Sequence, residues 1–202
     1  MYDWAEKAAR LAPISQAQAK RFHPEGVELH PLLNKDTTTL FFNVLEPKKY
    51  VTLQDGSSFL PVESHHATCP PLIKMEINSY YDGKPIVLEN PGGVTVGEVV
   101  DAILERTRAT VSHSEVRRWS EARLGIVYHW HWYHRARVAG MRRHLTVGDT
   151  YGGHTAFEGL MTAQKAKLVD SRARGLPSCS MVLCLGMDGS IPGLRPLSDF
   201  PY

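Results

Sequence analysis

The sequence predicts an α+β fold, a small mixed sheet in which a β-hairpin is followed by two helices packed on one face. Three observations carry this prediction. Residues 73–78 and 86–88 look like two strands joined at Asp82-Gly83, residues 96–104 form an apolar helical stripe, and residues 180–185 form a nearly continuous apolar run. Such a run is typical of a strand that is buried on both faces, so we place it beside the hairpin.

The hairpin is predicted by alternation and by its turn. Apolar and polar residues alternate strictly from residue 73 to residue 78, which is the pattern of a strand with one buried face. Asp-Gly favours a tight type I′ turn, because both central residues of that turn need positive φ. Pro85 cannot donate a hydrogen bond to a neighbouring strand, so the return strand is expected to begin at a sheet edge.

The first helix has a clear beginning and one apolar side. Thr95 followed by Glu98 matches a capping box. The apolar side chains after it recur at the spacing of a single helical face. These residues are Val96, Val99, Val100, Ile103 and Leu104. We therefore expect the helix to lie across the inner face of the hairpin.

The flanking segments divide the chain into three parts. Residues 1–28 are predicted to be a helical or flexible extension, residues 29–187 a single α+β domain, and residues 188–202 an extended tail. Prolines and glycines interrupt the tail repeatedly.

Four further elements are expected within the domain. Residues 37–45, rich in β-branched and aromatic side chains, predict a strand. Residues 145–147 predict a short strand followed by a glycine-containing turn, and residues 160–174 predict a helix. A second capping box, Ser112 with Glu115, opens a helix that is expected to run towards Val138, with an interruption near Gly125.

Two motifs resemble a known family. The segment ATCPPL at residues 67–72 and the segment GVTVGEVVDAI at residues 93–103 are similar to the patterns AT-x-PPL and GVTV-x-DVL-x-AI of the fungal domain of unknown function 6699. The resemblance covers residues 29–187. Asn43 and Glu98 depart from the family pattern, which usually has aspartate at both positions. The family has no assigned activity, so the resemblance supports the domain and implies no function.

Composition indicates the cellular compartment and bears on whether the partner is a nucleic acid. The net charge of +2 is too small to indicate nucleic-acid binding by itself. Three cysteines cannot all pair within one chain and have no zinc-motif spacing, which favours a reducing compartment. We expect an intracellular, cytoplasmic protein, because the N-terminus lacks the layout of a secretory signal and no apolar run is long enough to span a bilayer.

Residues 117–144 are the most unusual stretch. They contain seven arginines, four histidines and three tryptophans but a single acidic residue, Glu121. Three interpretations remain open: an amphipathic helix with aromatic side chains in the core, a nucleic-acid surface, or a protein interface. A straight helix would expose some of the large aromatics, which favours an interface over an ordinary solvent face. The candidate interface residues are Arg117, Arg118, Trp119, Trp130, Trp132, Arg135, Arg142 and Arg143.

The histidines of this stretch suggest an alternative metal site. His129, His131 and His134 are the candidate ligands. In a helix, however, residues two apart diverge by about 200°, so His129 and His131 could not chelate one ion together. A histidine- or zinc-dependent hydrolase is therefore the alternative function, and an RNA- or DNA-binding protein ranks after it. We assign no catalytic residue and no cofactor.

The leading hypothesis is a non-catalytic module that binds another protein or a second copy of itself. It rests on the surplus of aromatic and arginine residues at 117–144 and on the lack of a recognisable catalytic motif.

Overall fold

The computed structural model of the chain describes residues 4–22, 27–81, 83–137, 144–169 and 180–187. It confirms an α+β fold in which helices pack against a mixed four-stranded sheet. The strands are β1 Glu28–Leu29, β2 Leu40–Phe41, β3 Thr52–Leu53, β4 Thr68–Cys69, β5 Lys74–Asn78, β6 Ile86–Glu89, β7 His154–Thr162 and β8 Met181–Met187. The strand order of the four-stranded sheet is β6-β5-β8-β7. Two further pairs of short strands, β1-β4 and β2-β3, lie outside it.

Strand β5 of the predicted hairpin and the buried strand β8 form the middle of the sheet, and the return strand β6 lies at one edge. Strands β5 and β6 are antiparallel, with Ile77 opposite Ile86. Residues 79–85 connect the two strands, which is longer than the tight two-residue turn expected at Asp82-Gly83; Gly83 has a φ of +65° there, and Asp82 lies outside the described residues. Strand β8 runs parallel to β5, with Met181 beside Ile77. The nearly continuous apolar character of β8 follows from this central position, since both its faces are covered.

The described ranges contain six helices: α1 Trp4–Ala9, α2 Gln16–Phe22, α3 Val96–Arg108, α4 His113–Val116, α5 Glu121–Arg137 and α6 Ala163–Val169. The first of the two helices predicted after the hairpin is α3, and it forms as expected. Helix α3 begins with a complete capping box between Thr95 and Glu98. All five residues of its predicted stripe are buried, so its apolar face closes the core over the hairpin.

The two family motifs contact each other at the start of α3. The Val94 carbonyl accepts a hydrogen bond from Ala67 N at 2.8 Å, and Val94 N donates to the Leu72 carbonyl at 2.8 Å. Gly93 has a φ of +96°, and a Cβ added there would come within 2.8 Å of Pro71 Cβ. The glycine of one motif therefore allows the close approach of the proline of the other.

The N-terminal helical segment docks on this junction. The Trp4 indole N–H donates to the His66 carbonyl at 3.0 Å, and Ile14 N donates to the Pro71 carbonyl at 2.9 Å. The Trp4 ring also contacts His30 edge-on, with 5.1 Å between ring centroids. Burial, followed by the nearby His65, lowers the pKa of His30 to about 4.

Several predicted boundaries were wrong. The helix expected from Ser112 breaks at residues 117–120, so α4 and α5 are separate and Gly125 lies inside α5. Residues 145–147 form no full strand; Thr146 forms an isolated antiparallel bridge with Thr110, and residues Val147–Tyr151 fold into a 3₁₀ helix. Leu160 belongs to β7 rather than to a helix, and α6 starts only at Ala163. Of the expected strand at 37–45, only Leu40–Phe41 forms a strand, and Asn43 forms an isolated antiparallel bridge with Ala156.

The predicted tail at 188–202 and the predicted helix end at Gly140 lie outside the described residues. None of the helices in the described ranges is long and apolar enough to cross a membrane.

Candidate interaction surface and buried histidine cluster

Helix α5 has an inward face that is aromatic and polar at once. It consists of Val127, Trp130, His131 and His134, all at most 5% exposed, at the i, i+3, i+4, i+7 spacing of one helical side. The Trp130 indole packs against Gly153, with the Met187 side chain beside it, so a Cβ at Gly153 would lie 3.0 Å from either group. The candidate interface residue Trp130 is therefore an interior residue of the domain.

Both inward histidines bind one buried carboxylate. His131 Nδ1 lies 3.1 Å from Asp149 Oδ2, and His134 Nδ1 lies 3.3 Å from Asp149 Oδ1. Asp149 is fully buried and also accepts hydrogen bonds from Thr146 N at 2.7 Å and Thr146 Oγ1 at 3.0 Å. Because an ionised carboxylate only accepts, both rings must present N–H at Nδ1. The cluster ties α5 to the 3₁₀ helix that Asp149 caps.

These hydrogen-bond donors stabilise the charged form of Asp149. Burial raises the pKa of the Asp149 carboxyl, but hydrogen bonds from His134, Thr146 and His131 outweigh it and leave the pKa below its ordinary value. Asp149 thus acts as a buried anchor for α5. The sequence does contain a signal for it, since Thr-x-x-Asp at 146–149 is a capping pattern.

The three candidate metal ligands are not brought together. His131 and His134 share Asp149, whereas His129 is exposed on another side of α5. Within the described ranges, no group of three or more His, Cys, Asp or Glu side chains could hold a metal ion. His134 Nε2 is buried without a hydrogen-bond partner among the described residues.

The outward face of α5 presents large aromatic side chains. It consists of Glu121, Gly125, Tyr128, Trp132 and Arg135, which follow one another at helical spacing. Trp132 is 63% exposed and Tyr128 is 46% exposed. The Arg135 guanidinium lies over the Trp132 ring, 5.0 Å from its centroid. The two tryptophans of α5 therefore have opposite environments although only one residue separates them.

Nothing in the described chain requires a glycine at position 125 of this face. Its φ is not positive, and a Cβ added there would meet no described atom within 4 Å. Glycine inside a helix costs about 0.5–1 kcal/mol relative to alanine. The residue leaves a gap in the outward face, between Glu121 and Tyr128.

The remaining candidate interface residues lie elsewhere. Arg117 is exposed at the end of α4. Arg118 and Trp119 line a cavity of about 110 Å³ at the start of α5, together with Arg123. Arg123 precedes Trp132 by nine residues, which turns it about 180° away from that tryptophan. Arg142 and Arg143 lie outside the described residues.

The two described cysteines do not have the properties of a reactive thiol. Cys69 and Cys184 are both unpaired, and burial raises the pKa of each. A raised pKa disfavours the nucleophilic thiolate. Cys179 lies outside the described residues.

Residues 40–172 match the model of the family of unknown function DUF6699. This chain belongs to DUF6699. No curated protein matches the chain, and no solved structure does. The DUF6699 region includes α3, the buried cluster around Asp149 and both faces of α5.

Proposed function

We propose that this DUF6699 protein is a non-catalytic self-association module, in which the outward face of α5 binds the same face of a second copy. The observation that carries the proposal is the exposure of Trp132 and Tyr128 on one helical side. Tryptophan, tyrosine and arginine are the residues most enriched at the energetic centres of protein interfaces.

The face is complementary to itself in shape. A twofold axis near Tyr128 would pair two copies of α5 in antiparallel orientation, and residues equally far before and after that point would meet. Gly125 is three residues before Tyr128 and Trp132 is four residues after it. The Trp132 ring of each copy would then lie over the gap that Gly125 leaves in the other.

The face is also complementary to itself in charge. Glu121 is seven residues before Tyr128 and Arg135 is seven residues after it, so each lies about 10 Å from the proposed axis. Neither forms an ion pair with any other described residue. Antiparallel pairing would bring Glu121 to the second copy's Arg135 twice. Parallel pairing would instead oppose like charges, which is unfavourable.

The first experiment is light scattering on the full chain over a series of concentrations. We expect a species of twice the 22.6 kDa chain mass. Trp132→Ala should weaken dimerisation at least about tenfold, because it removes the largest anchor. Circular dichroism should show that the variant remains folded, since Trp132 contacts solvent rather than core.

Tyr50→Ala is the matched control. Tyr50 is 52% exposed and, like Trp132, carries a cation over its ring, the Lys49 ammonium at 4.9 Å. The control should dimerise as the unmodified chain does. The proposal would be refuted if the unmodified chain stayed monomeric at every concentration. It would also be refuted if Trp132→Ala and Tyr50→Ala weakened the dimer equally.

A further inference from the structure

The cavity at the start of α5 is lined by three arginines from different elements. Arg106 comes from the last turn of α3, Arg118 from the turn after α4, and Arg123 from the first turns of α5. The Arg123 guanidinium lies over the Trp119 ring, 5.0 Å from its centroid. Val111 and Val147 form an apolar part of the cavity wall. The cavity therefore combines a concentrated positive charge with a partly apolar lining.

The charges of two of these arginines, Arg118 and Arg123, are not paired with a carboxylate of the described residues. Glu115 is the one carboxylate in the lining, and it is already bound by the Lys84 ammonium and by Ser112. These hydrogen bonds lower the pKa of Glu115 to about 2, so the carboxylate stays ionised and stays with Lys84. Among the described residues, no carboxylate forms an ion pair with Arg118 or Arg123.

We propose that this cavity, between Arg106, Arg118 and Arg123, binds the phosphate group of a small phosphate ester or of inorganic phosphate. Guanidinium groups present paired N–H donors that match the oxygens of phosphate, and several of them stabilise its charge together. The volume of about 110 Å³ corresponds to roughly four water molecules at about 30 Å³ each. It therefore accepts a tetrahedral anion of five heavy atoms and leaves the rest of an ester at the mouth.

This site is independent of the proposed self-association. Arg123 lies about 180° around α5 from Trp132, so the cavity and the outward face are on opposite sides of the helix. The cavity would thus remain accessible in the paired state, and its occupancy does not require a second copy.

The test is isothermal titration of the full chain with inorganic phosphate and with phenyl phosphate, each compared with sodium chloride at equal ionic strength. We expect saturable one-to-one binding of at least one phosphate probe. Tighter binding of phenyl phosphate would support an ester, whose ring would contact the apolar side chains of Val111 and Val147. Tighter binding of inorganic phosphate would support the free anion.

Four variants test the location and the chemistry of the site. Arg118→Ala and Arg123→Ala should each weaken phosphate binding at least tenfold, whereas Arg117→Ala, the neighbouring arginine outside the cavity lining, should leave it unchanged. Arg118→Lys should bind with intermediate affinity, because it keeps the charge and loses the paired donors. Circular dichroism and an unchanged molar mass would show that the variants keep their fold.

Two results would overturn the proposal. One is the same weak heat from phosphate and chloride, which would mean general ionic screening. The other is equal affinity of the Arg117→Ala, Arg118→Ala and Arg123→Ala variants, which would place any bound phosphate elsewhere on the protein.

Discussion

The two faces of helix α5 use similar side chains for opposite purposes. On the inward face, Trp130 and two histidines are buried and are fixed by packing against Gly153 and by the Asp149 carboxylate. On the outward face, Trp132 and Tyr128 are exposed beside a glycine with open space around it. The inward face therefore stabilises the domain, and the outward face is available to a partner. Residue type alone does not separate them.

The largest expected contrast is between the two tryptophans. Trp130→Ala should destabilise the monomer by about 3–5 kcal/mol, because it leaves a large cavity beside Gly153 and Met187. Trp132→Ala should change monomer stability by less than about 0.5 kcal/mol. Urea unfolding at a concentration where the chain is monomeric measures both. Equal losses for the two variants would break the distinction between the faces.

The buried carboxylate should come next. Asp149→Ala leaves the Nδ1–H groups of His131 and His134 and the Thr146 N–H without their acceptor, so we expect a loss of about 3 kcal/mol. Asp101→Ala, at an exposed carboxylate on α3, is the control and should cost less than about 1 kcal/mol. A loss at Asp149 no larger than that of the control would mean that the cluster does not anchor α5.

The lowered pKa of Asp149 predicts that the folded chain loses stability in acid. The pKa of Asp149 is lower in the folded chain than its ordinary value of 3.8, so the unfolded chain takes up the proton first as the pH falls. The stabilising contribution is therefore complete above about pH 4 and decreases below it. Unfolding curves between pH 6 and pH 2 should show this decrease in the unmodified chain and a smaller one in Asp149→Asn. An identical decrease in both would assign the acid sensitivity to other groups.

The smallest expected effect has opposite signs for stability and for pairing. Gly125→Ala should stabilise the monomer by about 0.5–1 kcal/mol, because alanine is the better helix former and its Cβ meets no described atom. The same methyl group should weaken dimerisation, since it fills the gap that receives Trp132. Thermal unfolding and sedimentation equilibrium measure the two effects. A variant that is more stable and dimerises as well as before would show that the gap is not used.

Much of the fold could be predicted from local patterns. Helix α3 was predicted from its capping box and single apolar stripe, and β5, β6 and β8 from alternation, turn chemistry and apolar continuity. These elements bury residues that look apolar in sequence, so pattern and environment agree.

The candidate site was harder to predict, because the sequence pattern and the environment of the residues disagree there. The inward face of α5 contains His131 and His134, which look polar, and the outward face contains Trp132, which looks apolar. Hydrophobic periodicity therefore does not select a side. The decisive residue, Asp149, lies on a separate 3₁₀ helix, and its contact with α5 depends on tertiary structure. The Thr146 capping pattern could locate the 3₁₀ helix but not its histidine partners.

The most direct test of self-association through α5 is a charge exchange across the proposed axis, measured as the molar mass in solution. Glu121→Arg and Arg135→Glu should each favour the monomer, because each variant brings like charges together in an antiparallel pair. The double variant should recover the dimer at least in part, since it restores opposite charges at both positions; it still lacks the arginine over Trp132. A double variant that is as monomeric as the single variants, or single variants that dimerise normally, would contradict antiparallel pairing through this face.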